Sequence, residues 1–227
     1  MVTPPARLES VNLARVMEPG WKQRIGQSGI DKRPVHRPVR TGADVLVGDT
    51  ICDTANHGGP DQAVYAYAGE DAGWWSDRMG RDVPCGAFGE NFSTAGLDVT
   101  NAVIGERWAI GSAVFEVSCP RIPCRTFAGF WDVPDLVKRF TVAGRPGAYL
   151  RIWQAGEVSA GDRITIEYRP EHGVTILESF RALTGDRTLA ARLLQAPQLP
   201  PEAHERARTW LAKSSIARVI GAGTSSL

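Results

Sequence analysis

Cysteine is scarce, long apolar runs are missing, and neither sign of charge dominates in this chain of 227 residues. Four cysteines lack the density of a secreted, disulfide-built scaffold, so each is interpreted first as a thiol. No apolar run approaches the roughly 18 residues that span a bilayer, which argues against a helical membrane protein. With 26 basic and 25 acidic residues, no overall field attracts a nucleic acid polymer or an anionic membrane.

Apolar residues make up 43% of the chain and charged residues 22%, which are proportions typical of a globular protein with a sizeable core. The length corresponds to one large domain, or to a medium domain with a small partner. The first residues lack the basic start and apolar stretch of a secretory signal, so we expect a cytoplasmic protein.

Short β-strands are predicted through the first three quarters of the chain, because brief β-branched or aromatic runs alternate with Gly, Pro, Asp or Asn. This spacing favours a barrel or a sandwich. Gly111 predicts a hairpin turn, since glycine supplies the positive φ that a two-residue loop requires. The predicted strands are 7–17, 45–47, 63–67, 103–104, 108–110, 113–117, 149–153 and 163–168.

Helices are predicted at 69–79 and 132–140, where apolar residues fall on one helical face, and both would cap openings of the barrel. After Pro170 the apolar period changes and predicts three short helices before residue 213. We therefore expect a mainly β domain at 1–170 and a C-terminal three-helix domain at 171–227 with a flexible tail.

Cys124 is the first candidate for chemistry, because a thiolate attacks electrophiles or binds soft metals and nearby cations stabilise it. Arg121 and Arg125 are close in sequence, and Pro120 and Pro123 stiffen the loop that carries the sulfur. The alternative is an inert buried thiol.

Cys119 and Cys124 have four residues between them, a spacing that a pair of zinc ligands can have. A second pair is missing because Cys52 and Cys85 stand alone, which disfavours structural zinc. A redox disulfide between Cys119 and Cys124 stays open.

Two glycine-containing segments are candidates for ligand contacts. In 57–61, His-Gly-Gly-Pro-Asp, the glycine amides could approach an anion while the His and Asp side chains exchange protons. In 87–91, Ala-Phe-Gly-Glu-Asn, the Glu and Asn side chains could bond the edge of a heterocycle. Either segment could equally be a turn between strands. Lys32, Arg33 and Arg145 are candidates for phosphate contacts, with ordinary solvated surface as the alternative.

Five segments, taken in order, resemble the MOSC family, and more closely its YiiM-like branch, in which a small three-helix domain follows the MOSC β-barrel. The resemblance extends over nearly the whole chain, and the ordered set is far more specific than any one segment. The segments are Ser-Gly-Ile-Asp-Lys-Arg-Pro-Val (28–35), His-Gly-Gly-Pro-Asp-Gln-Ala-Val-Tyr (57–65), Ala-Phe-Gly-Glu-Asn (87–91), Val-Ser-Cys-Pro-Arg-Ile-Pro-Cys (117–124) and Gly-Arg-Pro-Gly-Ala-Tyr-Leu-Arg (144–151).

The resemblance implies a molybdenum cofactor (molybdopterin), whose metal takes a protein cysteine as ligand, and Cys124 matches that cysteine. It also implies an oxidoreductase that reduces N-hydroxylated compounds, such as N-hydroxylaminopurines, to amines. In this interpretation His57 and Asp61 join Cys124 as catalytic residues that handle protons or orient the substrate. The implied cofactor-binding residues are Lys32, Gly58, Gly59, Phe88, Gly89, Glu90, Asn91, Arg121, Cys124 and Arg145.

Three positions depart from the pattern common in the family. Gln62 stands where Lys is common, Cys119 where Gln is common, and Ile51 interrupts a Gly-Asp-x-Gln-x-Asp pattern. These departures bear on substrate choice and anion contacts, and they leave the metal ligand in place.

Such a reductase needs a separate electron-donor reductase, because the sequence has no cysteine cluster for iron–sulfur and no Gly-x-Gly-x-x-Gly after a strand. The expected partners are this donor and a small N-hydroxylated substrate, with a homodimer as a further hypothesis. The rival interpretations are a non-enzymatic carrier of cofactor or sulfur, with a persulfide on Cys124, and an interaction module on an inactive barrel.

Overall fold

The structure, a computed structural model, describes residues 5–21 and 26–223, with side chains up to residue 214. The predicted flexible tail lies, from residue 224 onward, outside the described residues. The β-strands are β1 Arg7–Ala14, β2 Lys32–Pro34, β3 Val39–Arg40, β4 Val64–Ala68, β5 Phe92–Ala95, β6 Arg107–Ile110, β7 Ala113–Pro120, β8 Ala148–Gln154, β9 Glu157–Val158 and β10 Ile164–Tyr168. The α-helices are α1 Gly69–Met79, α2 Arg125–Trp131, α3 Leu136–Ala143, α4 Ile176–Thr184, α5 Ala190–Leu193 and α6 Pro201–Gly223, with 3₁₀ turns at Pro60–Gln62 and Arg187–Leu189.

Eight strands form one mixed sheet in the order β10-β6-β7-β8-β4-β5-β1-β2, and β3 pairs separately with β9. The β4–β5 pair is parallel, whereas the other neighbours are antiparallel. β6 and β7 form the hairpin that the sequence predicts, with Gly111 at φ 59° in its turn.

The closed barrel predicted from the sequence is not confirmed. Among the described residues, the eight strands form an open sheet, because its two edge strands, β10 and β2, do not pair with each other. The start of β1 nevertheless contacts the segment before β10. The Leu8 N–H donates to the Asp162 carbonyl at 2.8 Å, and the Ile164 N–H donates to the Ala6 carbonyl at 2.9 Å.

Some predicted elements were wrong. The strands expected at 45–47 and 103–104 are single bridges, Thr41 with Leu46 and Val103 with Thr175. The helix expected at 132–140 begins later, at Leu136, and extends to Ala143 as α3, because Asp132 adopts a left-handed φ of 51° that ends the preceding helix α2, and Pro134 disfavours helical geometry at the preceding residue. α1 has the predicted bounds.

An aromatic cluster fills the space between the sheet and helices α1 to α3. Trp75 stacks on Phe140 with ring centroids 5.8 Å apart, and Phe88 meets Phe127 edge to face at 5.1 Å. Aromatic pairs in such geometries add about 0.5–1.5 kcal/mol beyond their buried area. The cluster therefore fixes the Phe88 loop and the start of α2 relative to the sheet.

The C-terminal helices pack on one another, and α4 also packs on β7. α4 begins with a capping box, in which the Thr175 hydroxyl accepts from the Glu178 N–H and the Glu178 carboxylate accepts from the Thr175 N–H. Among the described residues, no helix combines the length and the apolar character needed to cross a membrane.

Candidate functional site

A cavity of about 910 Å³ opens beside the end of β7 and the start of α2. Its size falls in the range of small-molecule and cofactor sites. Its walls come from β2, β4 and β8, from the segments 27–30, 49–58, 88–91 and 121–124, from the 3₁₀ turn Pro60–Gln62 and from the start of α2. Eight of the residues predicted from the sequence line it, namely Lys32, His57, Gly58, Phe88, Gly89, Asn91, Arg121 and Cys124.

Cys124 is half-buried in the cavity wall and immediately precedes α2. Burial acts to raise the pKa of its thiol. A hydrogen bond with His57, the charge of Arg121 and a backbone N–H of α2 act in the opposite direction, and together they lower the pKa to about 7. A substantial fraction of the sulfur is therefore thiolate at neutral pH, which is the form that binds metals and attacks electrophiles.

Arg121 is a buried cation, with 5% of its surface exposed, in the wall of the same cavity. Its guanidinium carbon lies 4.0 Å from the centroid of the Phe127 ring, and Nη1 has no hydrogen-bond partner in the described part of the chain. No described carboxylate forms a salt bridge with it, in contrast to Lys32 and Arg145. A buried charge with no carboxylate partner is costly, so this site favours an anion near Arg121.

Lys32 lies in the cavity wall in a polar network centred on Asp49. Its ammonium group is 2.5 Å from the carboxylate of Asp49, which is only 1% exposed. Asp49 also accepts from the Asn91 side chain at 2.8 Å and from the Ala14 N–H at 2.7 Å. Burial lowers the pKa of Lys32, and the Asp49 carboxylate opposes that shift. The positive charge of Lys32 is thus largely compensated within the protein.

Two glycines bring backbone close to the cavity. Gly58 has φ 85° and Gly89 has φ 81°, values that residues with a Cβ rarely adopt. A Cβ at Gly89 would lie 3.2 Å from the Ile30 side chain, and one at Gly58 would lie 3.0 Å from Ile51. Positive φ and these close contacts together favour glycine at both positions, and both glycines line the cavity.

Five predicted site residues lie outside the cavity lining: Arg33, Gly59, Asp61, Glu90 and Arg145. The buried Glu90 accepts from the N–H groups of Gly86 at 2.6 Å and Phe88 at 3.0 Å, so it shapes the loop that carries Phe88. Burial raises the pKa of Glu90. Arg145 forms a salt bridge with Asp71 and lies over the Trp74 ring. Asp61 forms a salt bridge with Arg151.

Other cavity residues were given no role from the sequence. Tyr65 and Tyr149 lie opposite each other on β4 and β8, with ring centroids 5.2 Å apart, and both line the cavity. Asp49 and Cys52 come from the loop after β3. Both tyrosines could have been found from the sequence, because Tyr65 lies in the motif at 57–65 and Tyr149 lies in the motif at 144–151.

The remaining thiols differ from Cys124 in their environment. All four cysteines, which lie within the described ranges, are free thiols. Burial raises the pKa of Cys119 to about 12, and its sulfur lies 4.0 Å from the Asp61 carbonyl. Burial also raises the pKa of Cys52 and of Cys85. Cys124 is thus the cysteine suited to act as a thiolate.

The described residues contain no group of three or more His, Cys, Asp or Glu side chains that could hold a metal ion. A metal beside Cys124 would consequently need ligands that a cofactor brings with it. The dithiolene of a molybdopterin supplies such ligands, and a thiolate is a suitable protein ligand for a thiolate-friendly metal.

Comparisons with known proteins agree with this geometry. The family model for the MOSC domain matches residues 53–165. The uncharacterized protein YflK of Bacillus subtilis is 34% identical over 167 residues, which are 74% of this chain and 76% of YflK. A protein named "Reductase" from Gibberella moniliformis is 29% identical over 177 residues, but the match covers 76% of this chain and only 31% of that longer protein.

A solved structure shows the same fold over nearly the whole chain. YiiM from Geobacillus stearothermophilus superposes with a TM-score of 0.76 and 29% identity, covering 91% of this chain and all of YiiM. MOSC domains are associated with molybdenum cofactor binding. On this sequence and structural evidence, the chain belongs to the MOSC domain family and, within it, to the YiiM-like branch.

Proposed function

We propose that this chain is an oxidoreductase that binds the molybdenum cofactor in the cavity beside Cys124 and reduces N-hydroxylated compounds, such as N-hydroxylaminopurines, to amines. The observation that carries the proposal is the pairing of a low-pKa thiol with a buried guanidinium that has no carboxylate partner, in one wall of a cavity of about 910 Å³. The name of the Gibberella moniliformis relative supports a reductase role.

The residues present fit the cofactor. The Cys124 thiolate would bind the metal, and Arg121 would offset the negative charge of the phosphate. Gly58 and Gly89 place backbone in the wall of the same cavity, where it would contact the cofactor. When bound, the cofactor would supply the two electrons needed to break the N–O bond.

Reduction of a hydroxylamine to an amine and water consumes two protons along with the two electrons. His57 is half-buried in the cavity wall next to Cys124, and imidazole is well suited to proton exchange near neutral pH. We assign it the proton-delivering role. Asp61 is not placed to share that role directly, because its carboxylate lies 2.6 Å from Arg151 outside the cavity lining.

Electrons must enter from a separate reductase, because the chain has no motif for a flavin or an iron–sulfur cluster. The substrate would occupy the part of the cavity that the cofactor leaves free. Tyr65 and Tyr149 present aromatic rings there, which suits a planar heterocyclic substrate.

The test is reduction of an N-hydroxylaminopurine with an artificial electron donor, by protein purified from a molybdenum-competent host. Wild-type protein should form the aminopurine, and Cys124→Ser should form none. A wild-type protein that holds the cofactor and fails to turn over, but carries a labile sulfane sulfur on Cys124, would instead support the sulfur-carrier alternative.

A further inference from the structure

One arginine outside the cavity contacts three separate parts of the fold. Arg151 lies on β8, and its side chain is 21% exposed. Its Nε donates to the Asp61 carboxylate at 2.6 Å, Nη1 donates to the Glu116 carboxylate at 2.9 Å, and Nη2 donates to the carbonyl of Gln198 at 2.8 Å. A forked guanidinium with three directed bonds fixes the relative positions of its acceptors.

The first acceptor belongs to a segment that lines the cavity, residues 49–62, here named the cavity loop. Asp49 holds one end through its bonds to Lys32, Asn91 and the Ala14 N–H. Asp61 holds the other end, in the 3₁₀ turn Pro60–Gln62.

His57 lies between these two ends, in a part of the loop whose own bonds are short-range. The N–H groups of Asn56 and His57 both donate to the Asp53 carbonyl, and residues 54–56 are exposed. The position of His57 relative to Cys124 therefore depends on how the two ends are held.

The third acceptor ties the same turn to the C-terminal helical region. Gln198 precedes α6, and its side chain lies against Gly105, where a Cβ would come within 2.7 Å of it. Its Oε1 is also 3.2 Å from Nε2 of His172. The Gln198 carbonyl is thus a fixed point to which Arg151 connects the cavity loop.

We infer that Arg151 is a positioning residue, which fixes the Asp61 end of the cavity loop, and so His57 beside Cys124, against β7 and the C-terminal helical region. The inference deepens the proposed function, since it concerns the same cavity. It assigns Asp61 an anchoring role, and it makes the C-terminal helices part of the support of the site.

The test uses the full chain without cofactor, so that it decides the inference even if the proposed reductase activity is absent. Two variants are compared with wild type: Arg151→Lys, which keeps the charge but loses the fork, and Asp61→Asn, which leaves the Arg151–Glu116 pair intact. Arg169→Met is the matched control, because Arg169 also pairs with a buried carboxylate, that of Glu106 at 3.1 Å, but does not contact the cavity loop.

Two readouts are expected to change together. Amide hydrogen exchange in residues 53–62 should become about tenfold faster in Arg151→Lys and Asp61→Asn, with exchange in β7 and β8 unchanged. The NMR signals of the His57 imidazole ring should also shift in both variants, because the ring no longer keeps its place in the cavity wall. Arg169→Met should leave both readouts as in wild type.

Unchanged local exchange in Arg151→Lys and Asp61→Asn would overturn the inference. So would a faster exchange spread evenly over the whole chain, since Arg151 would then stabilise the fold without positioning the loop. Faster loop exchange with unshifted His57 ring signals would show that the loop is held but that His57 is not positioned by it, which also overturns the inference.

Discussion

At the scale of single residues, the electrostatic environment of one sulfur distinguishes this site. Cys124 and Cys119 are five positions apart, yet burial raises the pKa of Cys119 to about 12, whereas His57 and Arg121 help to lower that of Cys124 to about 7. The thiolate is the reactive form of cysteine, so this difference decides which thiol does chemistry at neutral pH.

The first prediction concerns the reactivity of Cys124 in cofactor-free protein. The rate of its alkylation by iodoacetamide should reach half its maximum near pH 7, because the folded environment favours the thiolate. Cys119 should stay unmodified at that pH, and Cys124→Ser should abolish the phase with this midpoint. A midpoint near 8.5, the value of an unperturbed thiol, would contradict the described environment.

The second prediction concerns Arg121→Met. Without cofactor, this variant should be no less stable to urea than wild type, because it removes a buried charge that lacks a carboxylate partner. The pH midpoint for Cys124 alkylation should rise, because the Arg121 charge lowers the thiol pKa. The molybdenum content of the purified protein should fall.

Arg208→Met is the control for stability and alkylation, since Arg208 is exposed on α6 and lies outside the cavity lining. Destabilisation of Arg121→Met by about 3 kcal/mol or more, the cost of breaking a buried ion pair, would show that the Arg121 charge is compensated after all.

Candidate site residues could be predicted from the sequence where they belong to a recognisable motif. Cys124, His57 and Arg121 line one cavity, although 67 positions separate Cys124 from His57 in the sequence. No local sequence pattern indicates that these residues lie near one another in the folded chain. Glu90 and Arg145 show why residue type alone is insufficient. Their charges are directed to the Gly86 and Phe88 amides and to Asp71, contacts that only the folded chain reveals.

At the scale of elements, periodicity predicted α1 and most of the longer strands, because their apolar residues face one core. It did not predict α2, whose sequence Arg-Thr-Phe-Ala-Gly-Phe-Trp contains a glycine and few strong helix formers. α2 is stabilised instead by tertiary packing of Phe127 and Trp131 on Phe88. The two-residue strands β3 and β9 are too short for any period to be visible.

The third prediction tests the start of α4. Thr175→Ala removes the hydroxyl that accepts from the Glu178 N–H and should lower the free energy of unfolding by about 1 kcal/mol in urea titrations. Thr141→Ala is the control, because the Thr141 hydroxyl donates to the Val137 carbonyl inside α3 and caps no helix. Equal effects of the two substitutions would argue against the capping box.

The fourth prediction separates backbone strain from steric contact in the loop before β5. Gly80→Ala places a Cβ in open space at φ 64° and should cost about 1–2 kcal/mol for the left-handed conformation alone. Gly86→Ala has φ 84° and also places a Cβ 2.4 Å from the Lys32 carbonyl, so its cost should be clearly larger.

Unfolding measured by urea for both glycine variants checks this difference. Similar losses of stability in Gly86→Ala and Gly80→Ala would contradict the close approach of the 86–90 loop to β2.

At the scale of the whole molecule, the cavity depends on parts of the chain that are far apart in sequence. Its lining runs from residue 27 to residue 149, and Arg151 connects its loop to the carbonyl of Gln198. The order of the motifs predicted which segments belong together, but not the three-way contact of Arg151, since long-range ion pairs leave no pattern in a single sequence.

The central claim is that Cys124 binds the molybdenum of a cofactor held in this cavity, and side-by-side elemental and pterin analysis of wild-type and Cys124→Ser protein tests it most directly. Protein purified from a molybdenum-competent host should contain near-equal molar amounts of molybdenum, pterin and wild-type chain, and the variant should retain little metal. The same molybdenum content in both proteins, or none in a correctly folded wild type, would contradict the claim.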